Sequence, residues 1–146
     1  MIYIKEIKKT EVQLCYELDL NSIGLWSKDQ WSKEFNKSGV KIFALFLSSR
    51  IIGVSVVQVV IDEAQINYFS IDKKFRRKRY GSFLMRYLIE HFKLLKLKKI
   101  LLEVSETNLI GRKFYNQLDF ITVGKRRNYY RDDSNALLKE KKLIKY

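Results

Sequence analysis

The 146-residue chain contains no proline, one cysteine and one histidine. With no proline, no Gly/Ser tract and no internal repeat, nothing marks a linker, so residues 1–146 read as a single domain long enough to bury a core. A lone Cys15 cannot build an internal disulfide framework or a metal cluster, so no metal site is expected, and the residue reads as a small core side chain. His91 lies in a helical stretch with nothing to position it as a base. No run approaches the roughly 18 apolar residues of a membrane span. The opening MIYIKEIKKTE alternates apolar and charged residues like a strand, unlike the apolar core of a signal peptide. A cytoplasmic protein with no membrane partner is the expectation. Acidic residues are scarce as well, 16 against 29 basic, for a net charge of +13. Such an excess draws polyanions, yet the lysines are scattered over the whole chain and both termini. General solubility and composition account for that scatter first, a polyanionic neighbour such as the ribosome second.

What is present is an alternation of strand and helix patterns. IYIKEI (Ile2–Ile7) predicts a first strand, and TEVQLCYELDL a helix with Val12, Cys15 and Leu18 on one face. Ser27 and Gln30 stand at capping-box spacing, so a second helix is expected to start there. KIFALFL (Lys41–Leu47), a turn at SSR and IIGVSVVQVVI (Ile51–Ile61) predict a hairpin, and EAQINYFSI (Glu63–Ile71) a further strand. A basic loop and a helix come next, with Tyr80, Leu84, Tyr87, Leu88 and Phe92 facing inward. KILLEV (Lys99–Val104) reads as a buried strand, Asn108–Leu118 as a helix, FITVG as a strand, and the stretch near LLKEKKL as a last one. This order implies an α/β fold with a mixed central sheet flanked by helices.

The loop after the fourth strand raises the functional question. Arg76, Arg77, Lys78 and Arg79 precede Tyr80, Gly81 and Ser82 at a helix start. Free amides of a first helical turn, the helix dipole and nearby cations all favour a bound anion. Glycine permits close approach of the backbone. A solvated basic turn would look the same.

The wider sequence resembles the GNAT N-acetyltransferase superfamily, whose acetyl-CoA loop reads Gln/Arg-x-x-Gly-x-Gly/Ala. Arg76 and Gly81 match that pattern, while Arg79 stands where the first glycine belongs. An arginine there is expected to serve as an amide donor if its φ is negative. LLEVSETNLIGRKFYNQLDFITVGKRRNYY (Leu101–Tyr130) is similar to the signature of the ribosomal-protein alanine N-acetyltransferase (RimI-like) subgroup. VVIDEAQI and LWSKDQW extend the likeness, so that it runs from about Leu25 to Tyr130. Asp119 replaces the glycine of the motif's LGF, at a turn where Asp tolerates left-handed geometry. The resemblance implies the acyl-CoA N-acyltransferase fold and acetyl-CoA as co-substrate. It also implies that the amides of Arg77, Lys78, Arg79, Tyr80, Gly81 and Ser82 hold the pyrophosphate. Phe69, Ser70 and Ile71 would then line the acetyl and pantetheine arm, with a fourth-strand amide meeting the oxyanion. The acceptor would be the N-terminal alanine of a small-subunit ribosomal protein.

Acetyl transfer to an amine requires a base for the amine and a proton for the departing thiolate. Glu103 is the only charged residue in ILLEV, and a carboxylate in a strand fit for burial needs a partner or a task. An outward-facing glutamate is the plainer alternative, but the position also matches the family's proton acceptor. Tyr115 lies seven residues after Asn108, which brings both to one helix face about 10 Å apart. Tyr115 could equally be a core aromatic beside Phe114. The resemblance assigns Asn108 to CoA and Tyr115 to the general acid, without a covalent enzyme intermediate. Competing readings keep the fold but change the acceptor to another protein N-terminus, a lysine or a polyamine, or replace catalysis with RNA or ribosome binding. GKRRNYYR suits the last of these, but such a module has no need of Glu103, Asn108 and Tyr115 together, and direct nucleic-acid binding is not expected. For a basic acceptor tail, Asp62, Glu63, Glu106, Asp132 and Asp133 are candidates for an acidic patch at the mouth.

Overall fold

The computed structural model describes residues 1–143. Seven strands form one sheet in the order β1-β2-β3-β4-β5-β7-β6. They are β1 (Ile2–Ile7), β2 (Val40–Leu47), β3 (Arg50–Val60), β4 (Glu63–Ile71), β5 (Lys99–Ser105), β6 (Ile121–Arg126) and β7 (Ala136–Lys142). Helices α1 (Val12–Leu20) and α2 (Lys28–Asn36) precede β2, α3 (Tyr80–Leu94) joins β4 to β5, and α4 (Leu109–Gln117) joins β5 to β6. Every pairing is antiparallel except β4 with β5. That one parallel pair requires a crossover, which α3 supplies.

Two apolar clusters sit on opposite faces of the sheet. One contains Leu84, Met85, Leu88, Ile89 and Phe92 of α3 with Phe43, Leu45, Ile100 and Leu102. The other joins Cys15, Leu18 and Trp31 to Ile42, Val54, Val56 and Tyr68. The inner face of α3 differs from the expected one, because Met85 and Ile89 are buried while Tyr87 is 38% exposed. Tyr87 instead lies over His91 and Phe43 at the flank of the helix. At the start of α2, Ser27 Oγ accepts from Gln30 N at 3.1 Å. The reciprocal half of the capping box is missing, since Gln30 Nε2 donates to Glu34 Oε2 instead.

Two irregularities in β4 interrupt the regular sheet. A bulge between Val56 and Val57 leaves Asn67 without a β3 partner. It shifts the alternation of β4 by one residue. Ala64 and Ile66 therefore share a face with Ile71 and Phe69, while Tyr68 turns to the α1–α2 side. In addition, β4 and β5 pair only from Glu63↔Lys99 to Ile66↔Leu102. Beyond Ile66 the two strands have no mutual register, although β4 runs to Ile71 and β5 to Ser105. The sheet splits at its centre.

Candidate active site

An open cleft of about 1460 Å³ occupies that split. Its walls come from the second half of β4, from β5, from the loop and first turn of α3, from α4, from the β6–β7 hairpin and from the segment joining α1 to α2. The volume exceeds the roughly 300–1,000 Å³ of an ordinary small-molecule pocket, which leaves room for two substrates side by side.

The cofactor-side residues largely converge on this cleft. Phe69, Ser70 and Ile71 line it, as do Arg77, Arg79, Tyr80, Gly81 and Asn108. Lys78 and Ser82 do not line it: Lys78 Nζ sits 5.9 Å from the Phe75 ring, and Ser82 lies in the first turn of α3. Arg79 is the residue before that turn and has φ +67° and ψ +13°, with no side-chain cap on the helix. This overturns the expectation of a negative φ. Arginine here adopts the left-handed region that favours glycine, as Arg77 does at φ +62°. Because nothing caps α3, its first amides stay available to an anion. Gly81 lines the cleft at the first turn of α3. A Cβ there would come 3.4 Å from Phe114 Cε1 and 3.8 Å from Ile71 Cγ1, ordinary packing distances. Asp119 does adopt the left-handed turn, at φ +66°.

Asn108 caps α4, its Oδ1 accepting from Gly111 N at 2.9 Å. The helix fits this cap because a Cβ on Gly111 would fall 2.6 Å from Asn108 Nδ2. Asn108 itself lines the cleft. Tyr115, two turns on, lines the same cleft and packs edge-on against Phe114 and Phe120 at 5.2 and 5.7 Å. Burial pushes its phenol well above the ordinary value, and the nearby Tyr130 adds to the shift. The hydroxyl therefore stays protonated across the physiological range.

Glu103 is less buried than its strand suggested. The burial of β5 alternates, and Glu103 falls on the half-exposed face, its side chain 29% accessible. Its Oε1 lies 3.3 Å from Arg126 Nη2, and it is the only carboxylate among the described residues lining the cleft. Tyr130 stands near enough to feel that carboxylate. Burial raises the Tyr130 phenol first, and the Glu103 charge raises it further.

The acidic mouth expected for a basic acceptor is not formed. Asp62 and Glu63 sit at the opposite end of the sheet, paired with Lys98 at 3.1 Å and Lys99 at 3.6 Å. Glu106 is held by Lys125 and Asn135, and Asp132 by Ser134. Charge is in fact segregated the other way. Lys73, Lys74, Arg77, Lys78 and Arg79 are all exposed, and none is ion-paired among the described residues.

Sequence reasoning missed two walls. Arg126, Tyr129 and Tyr130 come from the β6–β7 hairpin, where the RRNYY run was the available signal. Ser22, Ile23, Leu25 and Trp26 come from the α1–α2 segment. Ile23 and Leu25 are each 53% exposed, an apolar surface with no obvious reason until the cleft is seen. Behind them Asp19 is fully buried and accepts four hydrogen bonds. Leu25 N and Trp26 N donate at 3.0 and 2.9 Å, Trp31 Nε1 at 3.1 Å and the Tyr68 hydroxyl at 2.8 Å. A carboxylate so satisfied fixes the segment without a cation.

A parallel pair that splits into a cleft, ending in an uncapped helix beside a cation-rich loop, defines an acyl-CoA-type transferase site. The acetyltransferase (GNAT) family matches residues 9–120, and the chain belongs to that family as an acetyl-CoA-dependent N-acetyltransferase. The chain is 31% identical over 104 residues to a ribosomal protein bS18-alanine N-acetyltransferase of Salmonella typhimurium, covering 68% of this chain and 70% of that one. A protein of the same name from Haemophilus ducreyi is 30% identical over 104 residues, covering 68% and 72%. The crystal structure of the ribosomal-protein-S18-alanine N-acetyltransferase from Escherichia coli superposes with a TM-score of 0.93 at 23% identity, covering 100% of this chain and 96% of that chain.

Proposed function

We propose that the protein is a single-domain cytoplasmic N-α-acetyltransferase whose acceptor is the N-terminal alanine of ribosomal protein bS18. The names of its relatives support that acceptor. The observation that carries the chemistry is the lone carboxylate in the cleft, Glu103, on the strand that diverges from β4. Acetyl-CoA supplies an activated acyl thioester. The uncapped first turn of α3 and the loop Arg77–Gly81 hold its pyrophosphate, Asn108 meets the pantetheine arm, and Phe69–Ile71 flank the acetyl end. Glu103 takes the proton of the acceptor amine. An α-amino group has a pKa of roughly 7.7–8.0, so a modest base suffices near neutrality. The amine attacks the thioester carbonyl, a β4 amide stabilises the oxyanion, the nitrogen releases its extra proton to solvent, and the C–S bond breaks as Tyr115 gives its proton to the thiolate. Burial keeps that phenol protonated and therefore able to donate. Exchange with solvent then passes the proton held by Glu103 to Tyr115, which resets both groups. The acetyl group passes directly from sulfur to nitrogen.

The test is mass spectrometry of peptides incubated with the protein and acetyl-CoA. A bS18 peptide beginning with alanine should gain one acetyl group on its α-amine, and the same peptide blocked at the N-terminus should gain none. Modification of the blocked peptide on lysine would instead establish a lysine acetyltransferase.

A further inference from the structure

The α1–α2 segment, the wall of the cleft that the expected cofactor residues leave for the acceptor, is joined to the cofactor loop by one small cluster. Ser22, in the α1–α2 segment, is 6% exposed. Its hydroxyl donates to the Ile71 carbonyl at 3.1 Å and accepts from Arg76 Nη2 at 2.8 Å. Arg76 Nε donates to the same carbonyl at 3.0 Å. Beside them Lys73 N donates to the Asn21 carbonyl at 3.2 Å. Arg76 opens the phosphate-binding loop, yet its guanidinium is directed to the acceptor wall and to the end of β4.

The other end of that wall is fixed differently. Asp19 holds Leu25 N and Trp26 N from within the core. Between the two attachments stands Gly24, at φ +66° with nothing within 4 Å of a Cβ. The segment thus has backbone anchors at Leu25 and Trp26, a left-handed glycine at Gly24 whose amide donates to the Asp19 carbonyl at 2.7 Å, and a second attachment at Ser22 that belongs to the cofactor loop. The loop itself passes through two left-handed non-glycine residues, Arg77 and Arg79. Backbone in that region is held by its surroundings rather than by its own preference.

We propose that Ser22 and Arg76 form a clasp through which occupation of the pyrophosphate loop sets the position of the acceptor wall. Both are positioning residues for the acceptor, although Arg76 lies in the cofactor motif. The clasp rests on the two-substrate reading of the cleft. By linkage, acetyl-CoA tightens the acceptor and the acceptor tightens acetyl-CoA by one shared factor.

ADP provides a probe of the loop alone, since it carries the diphosphate and lacks the arm that would reach Trp26. The chain has two tryptophans, Trp26 on the wall and Trp31 buried behind it. ADP should change the tryptophan emission of the parent, excited at the red edge where adenine does not absorb. Trp26→Phe should abolish the change and thereby assign it. Ser22→Ala should also lose the change while still binding ADP by calorimetry, and Ser22→Thr, which keeps the hydroxyl, should restore it. In turnover, Ser22→Ala should raise the acceptor KM by about five- to tenfold, at the low end of ordinary site-to-site coupling, with kcat little altered. An unaltered emission change in Ser22→Ala overturns the clasp. So does a silent parent that binds ADP, or a Ser22→Ala variant that no longer binds it. The emission result does not depend on the acceptor. If the alanine-initiated peptide is not acetylated while the emission pattern holds, the acceptor assignment fails and the clasp stands.

Discussion

Replacing Arg79 with glycine separates two ways the loop could hold a phosphate. Arg79 adopts φ +67° just before α3. A non-glycine residue in that region bears a steric cost of about 1–2 kcal/mol, from Cβ against the following carbonyl. Glycine removes it but enlarges the unfolded ensemble, which costs about 0.5–1 kcal/mol. The balance favours Arg79→Gly by about 0.5–1 kcal/mol, or a rise in Tm of about 2–4 °C for a chain of this size. Because the backbone conformation is unchanged, the amides keep their positions. KM for acetyl-CoA, from initial rates of thiol release, should stay within about threefold of the parent. If the guanidinium itself grips a phosphate, loss of a charged hydrogen bond worth about 1.5–3 kcal/mol should raise KM by roughly 10- to 150-fold. A tenfold rise, or a fall in Tm, would refute the view that the backbone at Arg79 does the binding.

Glu103→Gln should lower kcat by about 10²–10⁴-fold at neutral pH and recover in part as pH rises through the amine's own range; full activity at neutrality would remove Glu103 as the base. Tyr115→Phe should lose a similar factor with no recovery at high pH, and both variants should bind acetyl-CoA as the parent does in a calorimetric titration. His91 is held below its ordinary 6.5, first by burial and then by Lys41, and its Nε2 is buried with no protein partner. The unfolded chain therefore takes up the proton first, and the stability tied to His91 is complete above pH 6.5 and lost as pH falls through the folded value. Melting curves from neutrality to about pH 5 should show the parent losing more than His91→Leu; parallel losses would exclude His91. A Cβ on Gly39, at φ +76°, would fall 2.6 Å from the Val59 carbonyl oxygen. Gly39→Ala should accordingly lower Tm by roughly 5–15 °C, from strain and overpacking of about 2–4 kcal/mol, and an unchanged Tm would mean the β2–β3 ladder yields easily there.

The sequence carried most of the fold because its elements are local. The β-branched hairpin, the N-cap at Ser27 and the start of α3 each depend on neighbours a few residues away, and each formed close to where it was expected. The bulge at Asn67 was not legible, since EAQINYFSI scans as a regular strand and only pairing with β3 exposes the extra residue. Glu103 looked buried because ILLEV is apolar, but its face of β5 opens into the cleft where β4 departs, a property of two strands rather than of one. The acidic patch failed for the same reason. Asp62 and Glu63 precede the loop by only about ten residues, yet nine of those form a strand that carries the chain to the other end of the sheet. Ser22 and Asp19 gave no signal at all, because their partners lie 49 and 54 residues away for Ser22 and up to 49 away for Asp19.

The segregation of charge gives the encounter with the cofactor a direction. At the far end of the sheet Lys98 and Lys99 are paired with Asp62, Glu63 and Glu140, whereas the cations from Lys73 to Arg79 have no counter-ion among the described residues. A polyanion diffusing nearby meets a dense cluster of uncompensated cations there, and steering of this kind raises association rates by about 10–10³-fold. On the proposed loop assignment, the phosphates of acetyl-CoA are captured before its uncharged arm, so the thioester enters the cleft last and from the side of α3. Added salt weakens the capture once the screening length falls to about 10 Å, near 0.1 M. The association rate of acetyl-CoA should drop steeply with ionic strength, while its dissociation, governed by short contacts with backbone amides, changes much less.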